Sequence, residues 1–569
     1  MEKIKKIKKL LNFFNIDAYI IPKNDEFFGE YVDDSKDRLK FISNFSGSYG
    51  YAIISKIGSF LFVDGRYSLQ AKRQAGKYFK ILTIPAQMPK SIFKNRTLRI
   101  GFDPKLHTQY SLENFLRGKN LKLIPVDENL IDKIWKRKKS DSVKKFKVLN
   151  DSISGQAYEK KIKSVSDNLK KTGCQLQFIS ASENISWLLN IRGEDSKYSP
   201  ITNSYLIVDK KKNAFLFVNL KKIDRRFKKN FKKIKIIDIN LVEKFINQIH
   251  NKKILVDKNS LSVHFQKILK NNNSLKKEND IIYFLKSIKN KVEIKNIEKS
   301  HIADGAALTK FLFWVKNEYK KRKITEISAQ DKLLYFRKKN KNFRTLSFPT
   351  ISGSGPNGSI IHYKAEKKTN RKLKKGDIYL VDSGGQYEFG TTDVTRTLSL
   401  GNSNKRIKDI FTRVLKGHIA VFNTNLNKIN TGEEIDKRAR FFLKKINLDY
   451  GHGTGHGVGY FLNVHEGPQA ISKYNNVKIL PGMILSNEPG YYEKKKFGIR
   501  IENLIYVKKS KNKIFFKNLT LAPIDTDLIN YKMLNASEKK YLFNYHMDTY
   551  AKVSKFLNSK EKKWLLSLI

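Results

Sequence analysis

The sequence predicts a multidomain chain that is α/β in its first half and α+β in its second. Three observations carry that reading. Helix-like and strand-like runs alternate from the N-terminus to about Val126. The same rhythm starts again near Asp151 and continues to about Val218. From about Lys289 the texture changes, first to a long amphipathic stretch and then to a window rich in Gly, His and acidic residues that ends near Val507. Alternation of this kind marks α/β units, and 569 residues hold three or four domains at roughly 100–200 residues each.

Composition sets the outer bounds. Lys and Arg total 113 against 53 Asp and Glu, a formal net charge of +60. A field of that sign attracts polyanions such as nucleic acid or acidic membranes. The excess is spread along the whole chain rather than gathered into a tail, and Asn and Ile are abundant beside Lys, as an AT-rich coding sequence would give. The charge therefore reads as compositional, and no specific nucleic acid partner is expected. With 40% hydrophobic and 12% aromatic residues, the chain has material for several cores, which excludes a wholly disordered protein. The single cysteine, Cys174, excludes an intrachain disulfide and fits a reducing, cytoplasmic setting. No apolar run approaches the roughly 20 residues that span a bilayer, so no membrane partner is expected.

Taken in order, Ile4, Ile7, Leu10 and Leu11 recur at helical spacing with Lys between them, which predicts an amphipathic first helix. Asn12, Asn15 and Asp17 deny the unbroken apolar core of a signal peptide. Asp17–Pro22, Tyr51–Ile54 and Ser59–Asp64 follow as strand-like runs, and the Lys-rich stretch Leu130–Val148 around Trp135 reads as a linker or domain edge. In the second unit a helix over Ala157–Lys171 leads into the apolar runs Leu176–Ile179, Ile185–Leu189, Ser204–Val208 and Ala214–Val218. Two similar α/β halves in tandem are expected, without a residue-level repeat. Val292–Lys316 reads as a long amphipathic helix. Five of the ten histidines, His362, His418, His452, His456 and His465, fall between 362 and 465, which marks that window for chemistry. The last sixty residues return to a Lys-rich helical texture.

Within the window, Ile378–Asp382 is a strand run followed by Ser383-Gly384-Gly385, and Thr391–Leu400 alternates with period two. A hairpin centred between Tyr387 and Glu388 would set Asp382 opposite Asp393, with Cβ atoms roughly 5 Å apart. Two unpaired carboxylates so placed repel, and a cation is the natural reason for the arrangement. A second hairpin repeats the logic: Met483–Glu488 and Phe497–Val507 place Glu488 and Glu502 symmetrically about Lys495, and Arg500 shares a strand face with Glu502. Between the hairpins lies GHGTGHGVG (Gly451–Gly459), whose five glycines in nine residues forbid a stable helix. The His452/His456 spacing is thus not the helical metalloprotease motif, and either imidazole could reach a metal held by the hairpins. Four carboxylates and one imidazole suit manganese or magnesium, with iron, cobalt or zinc admitted by the nitrogen. Their charge balances two divalent ions, and a two-metal site implies hydrolysis of a peptide or phosphate ester.

The motifs VDSG (Val381–Gly384), TTDVTRT (Thr391–Thr397), GHGTGHGVG, VHEGP (Val464–Pro468), NEPGYY (Asn487–Tyr492) and RIEN (Arg500–Asn503) resemble, in that order, the Xaa-Pro aminopeptidase (aminopeptidase P) family of the creatinase/methionine-aminopeptidase-like clan. DAYIIP, Phe41–Gly50 and Val63–Ala71 resemble the family's N-terminal domain, Trp187–Gly193 its second, and Leu521–Ile529 with Tyr541–His546 its C-terminal extension. The resemblance covers nearly the whole chain. It implies two tandem creatinase-like α/β N-terminal domains (1–145 and 146–288), a pita-bread catalytic domain (289–509) and a C-terminal extension (510–569) that supports a homodimer. It further implies a metal-dependent enzyme that removes the residue before a penultimate proline, by attack of a hydroxide between two metal ions, usually manganese.

Carried over motif by motif, the metal ligands would be Asp382, Asp393, His456, Glu488 and Glu502. Glu488 would also serve as general base, His465 would steady the carbonyl oxygen, and His362 would assist at the substrate or leaving group. His452 would line the proline side of the pocket, and Arg500 would stand beside the ligands and fix carboxylate orientation. Arg396 reads as an outward or structural strand residue, and Tyr491 and Tyr492 as packing. Two rival readings are a prolidase, which shares the ligands but accepts only Xaa-Pro dipeptides, and a non-catalytic nucleic-acid-binding scaffold of the same fold, which +60 alone supports.

Overall fold

A computed structural model describes residues 1–93, 97–116, 120–137 and 143–569; part of the expected linker, 138–142, lies outside the described residues. The chain divides into two compact units, residues 1–151 with 156–282 and residues 152–155 with 283–569.

The first unit contains two six-stranded sheets of one topology. In the first, the central strand Ala18–Pro22 runs antiparallel to Tyr51–Ser55 and parallel to Leu98–Phe102. In the second, Leu176–Ile179 runs antiparallel to Ser204–Asp209 and parallel to Lys253–Asp257. Gly58–Asp64 with Lys80–Ile84 completes one edge of the first sheet, and Ala214–Val218 with Ile234–Asp238 the same edge of the second. The repeated rhythm of the sequence is therefore a repeated sheet. All five residues of Ala18–Pro22 are buried, so the strand reads as a continuous apolar run rather than an alternating one. The helix Glu2–Phe13 buries Ile7 and Leu11 against that sheet and turns its lysines outward.

The second unit is α+β. Its long helix Lys291–Glu318 starts at a reciprocal cap, with Asn290 Oδ1 accepting from the Glu293 amide and Glu293 accepting from the Asn290 amide. Leu308, Phe311, Leu312 and Val315 on this helix pack against Tyr379, Val381, Val394 and Leu398 of the first hairpin. Helices Lys405–Phe422 and Ala536–Val553 pack against Tyr491, Phe497 and Ile499 of the second hairpin. Each hairpin thus has apolar support from helices.

The two hairpins differ in how well their register could be foreseen. The second is symmetric about Lys495 on both sides of a break: Gly490 pairs with Arg500 and Asn487 with Asn503. The first is not centred where its spacing suggested. Asp382 pairs with Thr395, Ser383 with Val394 and Tyr387 with Gly390, so the tip lies at Glu388-Phe389 and Asp382 does not face Asp393. Asp393 stands instead in the gap between Gly390–Thr391 and Val394–Ser399. Gly384 permits this crossing, because a Cβ there would lie 2.0 Å from the Thr392 carbonyl oxygen. Glu488 and Glu502 also stand at ladder breaks, their amides diverted to the carbonyls of Thr454 and Thr395 at 2.8 and 3.2 Å.

A buried polar hub fixes the first hairpin to the helices behind it. Asp304 on the long helix accepts from Arg337 Nε at 2.8 Å and from the Tyr387 hydroxyl at 2.7 Å. Burial pushes the Asp304 carboxyl up, but Arg337 and Tyr387 outweigh it and hold it below the ordinary value. Asp304→Ala would leave the Arg337 guanidinium, 0% exposed, without its anion, at a cost of about 3–5 kcal/mol. Denaturant unfolding of the full chain should show that loss in the transition of the second unit; a change below about 1 kcal/mol would contradict the assignment of the hub.

Candidate metal centre

The two hairpins and the Gly-rich loop between them bring carboxylates together where the main chain leaves its ladders. Asp393, His456 and Glu502 each offer a ligand atom, and these atoms lie within 4.8 Å of one another. His456 Nε2 is 3.4 Å from Asp393 Oδ2 and 3.7 Å from Glu488 Oε1. His456 sits on the short strand Gly455–Gly457, and close backbone approach explains the glycines around it: a Cβ on Gly455 would lie 1.9 Å from the Ser486 carbonyl oxygen. The His456 Nδ1 is 2.9 Å from the Gly457 carbonyl, which leaves Nε2 as the atom facing the carboxylates.

Arg500 organises the remaining acids. Its Nη2 donates to Asp382 Oδ2 at 2.6 Å, its Nε to the Thr395 hydroxyl at 3.0 Å and its Nη1 to the Tyr492 hydroxyl at 2.5 Å. The Thr395 hydroxyl in turn donates to Glu502 Oε2 at 2.7 Å. One side chain of the first hairpin therefore holds both Arg500 and Glu502 of the second. The Tyr492 hydroxyl is also 2.9 Å from His452 Nε2, so His452 is linked through Tyr492 and Arg500 to Asp382. Burial pushes the Tyr492 phenol up to about 12, which keeps it protonated in this chain.

The remaining predicted residues fall around this core. The His465 ring lies 4.4 Å from that of His456, centroid to centroid. Its neighbour Glu466 is anchored by Lys286 at 2.9 Å and by Lys289, all three side chains being at most 2% exposed. His362 is half-buried and follows the 3₁₀ turn Gly355–Ser359. That turn presses on the strand Phe497–Arg500, because a Cβ on Gly498 would lie 1.9 Å from the Gly358 carbonyl oxygen. Glu326 holds the same loop: its buried carboxylate accepts from the Ser354 and Arg371 amides and the Tyr363 hydroxyl at 2.7–2.9 Å. His418, inside the histidine-rich window, is fully buried with Nδ1 on the Asn487 carbonyl and packs rather than ligates. Thr395 was missed in the sequence, and Tyr492, read there as packing, instead bridges His452 and Arg500; the only signal for either was its place in the motifs TTDVTRT and NEPGYY.

The donor set fits metal ions. Four carboxylates converge with one guanidinium, Arg500, paired to one of them, and Asp382 Oδ1 is buried without a hydrogen-bond partner. The cost of this crowding appears in the acids themselves. Burial and the charge of Asp382 push the Asp393 carboxyl well above its ordinary value; burial with Asp393, Glu488 and Asp382 does the same to Glu502. Burial raises Glu488 to about 7 against the pull of His456 and Arg500. Divalent cations would offset that repulsion, and an oxygen-rich set with one imidazole is suitable for manganese and its neighbours.

Comparison with known proteins follows the same lines. Residues 295–509 match the model of metallopeptidase family M24 and residues 514–567 its C-terminal region, while 3–134 and 137–293 match two creatinase/prolidase N-terminal domain models. A probable Xaa-Pro aminopeptidase P of Laccaria bicolor is 37% identical over 99% of this chain and 92% of its own length. An X-prolyl aminopeptidase of Caenorhabditis elegans, described as a cytosolic enzyme with a di-nuclear active site, is 31% identical and superposes with a TM-score of 0.93 over 100% of this chain and 98% of its own. The prolidase of Pyrococcus furiosus, 25% identical, superposes over 62% of this chain and 98% of its own with a TM-score of 0.50.

The raised carboxyls carry a pH prediction. Between the ordinary carboxylate range and about pH 7, the metal-free folded chain holds protons that the unfolded chain has lost. That contribution to stability is present at acid pH and is lost as pH rises through about 7. A bound cation removes the penalty by displacing the protons. The gap in thermal midpoint between metal-loaded and chelator-treated protein should therefore widen from about pH 5.5 to about pH 7.5, with protons released on loading. A gap independent of pH would contradict the clustering.

Proposed function

The chain belongs to metallopeptidase family M24, in its aminopeptidase P group, and on that premise we propose that it is a metal-dependent aminopeptidase that removes the N-terminal residue from peptides with proline in second position. The observation that carries the reading is the convergence of Asp393, His456 and Glu502, with Asp382 and Glu488 beside them. Asp382, Asp393, His456, Glu488 and Glu502 would hold two divalent ions, most suitably Mn2+. When bound, the ions supply a water acidic enough to act as nucleophile at neutral pH and a Lewis acid for the scissile carbonyl.

The side chains supply the rest. Glu488, whose Oε1 stands 3.7 Å from His456 Nε2, would take a proton from the attacking water and pass it to the departing amine. His465, against His456 and behind the anchored Glu466, would donate to the carbonyl oxygen as charge develops on it. His362 would meet the leaving group, and His452, held by Tyr492, would line the proline side. Arg500 keeps Asp382 and Glu502 in place through its own bonds and through Thr395. A proline nitrogen makes the scissile bond a tertiary amide with no N–H, so a site for it must recognise a ring where general aminopeptidases bind a secondary amide.

The tandem N-terminal halves favour this reading over a prolidase, because the Pyrococcus furiosus prolidase accounts for only 62% of the chain. We divide the chain at 145, 288 and 509; four matching family models in tandem support four parts, and one of their spans ends at 509. A cytoplasmic site of action is supported by the single buried Cys174 and by the cytosolic Caenorhabditis elegans relative. No described helix is long and apolar enough to cross a membrane. A homodimer is supported by Phe543 and Met547, one turn apart on the C-terminal helix and 50% and 42% exposed. The charge of +60 has no role in the reading, and no specific nucleic acid partner is proposed.

Metal-reconstituted protein should cleave Xaa-Pro-Xaa peptides and leave peptides without penultimate proline intact; cleavage of Xaa-Pro dipeptides alone would favour prolidase. Asp393→Asn should lower kcat on the order of a thousandfold or more by removing a ligand to the ions that activate water. Retained activity would contradict the site assignment.

A further inference from the structure

Arg396 lies between the two hairpins and the C-terminal segment, and its guanidinium is 1% exposed. Its Nε donates to the Pro523 carbonyl at 3.0 Å, and its Nη1 to the carbonyls of Thr395 and Glu502 at 2.8 and 2.6 Å. Its Nη2 reaches Asn503 Oδ1 at 2.7 Å and the Ala522 carbonyl and Tyr545 hydroxyl at 2.8 Å each. Among the described residues no carboxylate lies within ion-pair distance of it. A buried cation neutralised by no anion is costly, and it persists here because neutral acceptors surround its donors. These acceptors belong to three separate pieces of chain: the first hairpin (Thr395), the second (Glu502 and Asn503) and the C-terminal extension (Ala522, Pro523 and Tyr545).

Tyr545 closes the arrangement from the outer side. It is 4% exposed on the helix Ala536–Val553. Its hydroxyl donates to the Ala522 carbonyl at 2.7 Å and accepts from Arg396. The Glu502 amide is on the Thr395 carbonyl at 3.2 Å, its carbonyl on Arg396 and its carboxylate on the Thr395 hydroxyl. The main chain of Glu502, which leaves its ladder at this point, is therefore held through its amide by the Thr395 carbonyl and through its carbonyl by the neighbouring Arg396, itself bonded to Tyr545.

We propose that Arg396 and Tyr545 are positioning residues for the metal centre, and that the C-terminal helix is through them part of the machinery that holds Glu502 at the site. Neither touches a ligand carboxylate; both act through the Glu502 backbone. The inference rests on the metal-centre reading above. Loss of partners that orient ligands costs about 10–100-fold in metal affinity, and a removed hydroxyl belongs at the lower end of that range.

The test compares full-length wild type with Tyr545→Phe, Arg396→Lys and Tyr541→Phe. Tyr541 lies one turn earlier on the same helix, its ring 6.2 Å from that of Tyr545, and its hydroxyl accepts from Asn518 at 3.4 Å; it serves as the control for helix packing. Bound Mn2+ is counted by elemental analysis after dialysis, and its affinity is measured by titration, beside kcat, KM and the thermal midpoint. Tyr545→Phe should bind Mn2+ about tenfold more weakly, with kcat recovering at excess Mn2+ and KM unchanged, while Tyr541→Phe binds as wild type does. Arg396→Lys, which cannot span the same fork, should show a larger loss of the same kind. Equal metal affinity in Tyr545→Phe and wild type, or equal losses in Tyr545→Phe and Tyr541→Phe, would overturn the inference. Wild type that binds no Mn2+ would overturn the metal-centre reading itself.

Discussion

The structure depends on confining four carboxylates in a space where one guanidinium is available to them. Arg500 binds Asp382 directly and steadies Glu502 through the Thr395 hydroxyl, yet Asp393, Glu488 and Glu502 remain reluctant to ionise. Repulsion of this kind unfolds a loosely built site. It is sustained here because Asp382 is fixed within a strand and Asp393, Glu488 and Glu502 stand where main chain leaves its β-ladder, and because helices bury the apolar faces of both hairpins. The same strain is what gives divalent cations their purchase, so the chemistry and the architecture share one cause.

Ladder breaks are the device that makes this possible. In a continuous hairpin, side chains alternate and opposite acids point the same way only in pairs. At Glu488 and Glu502 the backbone amides turn from their own ladder to other partners, and Asp393 stands in a gap between two strands, so acids from two hairpins converge with His456 from the loop between them. Gly384 and Gly455 allow the strands to come that close. Arg396 and Thr395 then tie the breaks together, one with its guanidinium and the other with its hydroxyl.

Much of this was legible in the sequence, for local reasons. The second hairpin was readable because its turn, Lys494-Lys495-Lys496, is polar and exposed, and the pairing about Lys495 follows from it. The duplicated α/β rhythm was readable because central strands such as Ala18–Pro22 are buried along their whole length. The first hairpin misled because facing aspartates gave a reason for one register, while the tip at Glu388-Phe389 set another. Spacing alone left His452 and His456 equivalent; the fold separates them, sending His452 to Tyr492 and His456 to Asp393 and Glu488. The roles of Thr395, Arg396 and Tyr492 were not legible because most of their partners are tertiary, as with Arg396 and Tyr545, 149 residues apart. The basic excess told least: lysines that matter, such as Lys286 and Lys289 on Glu466, are buried and few.

Asp382, Asp393, His456, Glu488 and Glu502 are proposed to form one two-metal centre. Anomalous diffraction from crystals of the Mn2+-loaded protein tests it most directly. Two manganese peaks are expected, held among Asp382, Asp393, His456, Glu488 and Glu502. A single ion, or ions bound away from Asp382, Asp393, His456, Glu488 and Glu502, would contradict it.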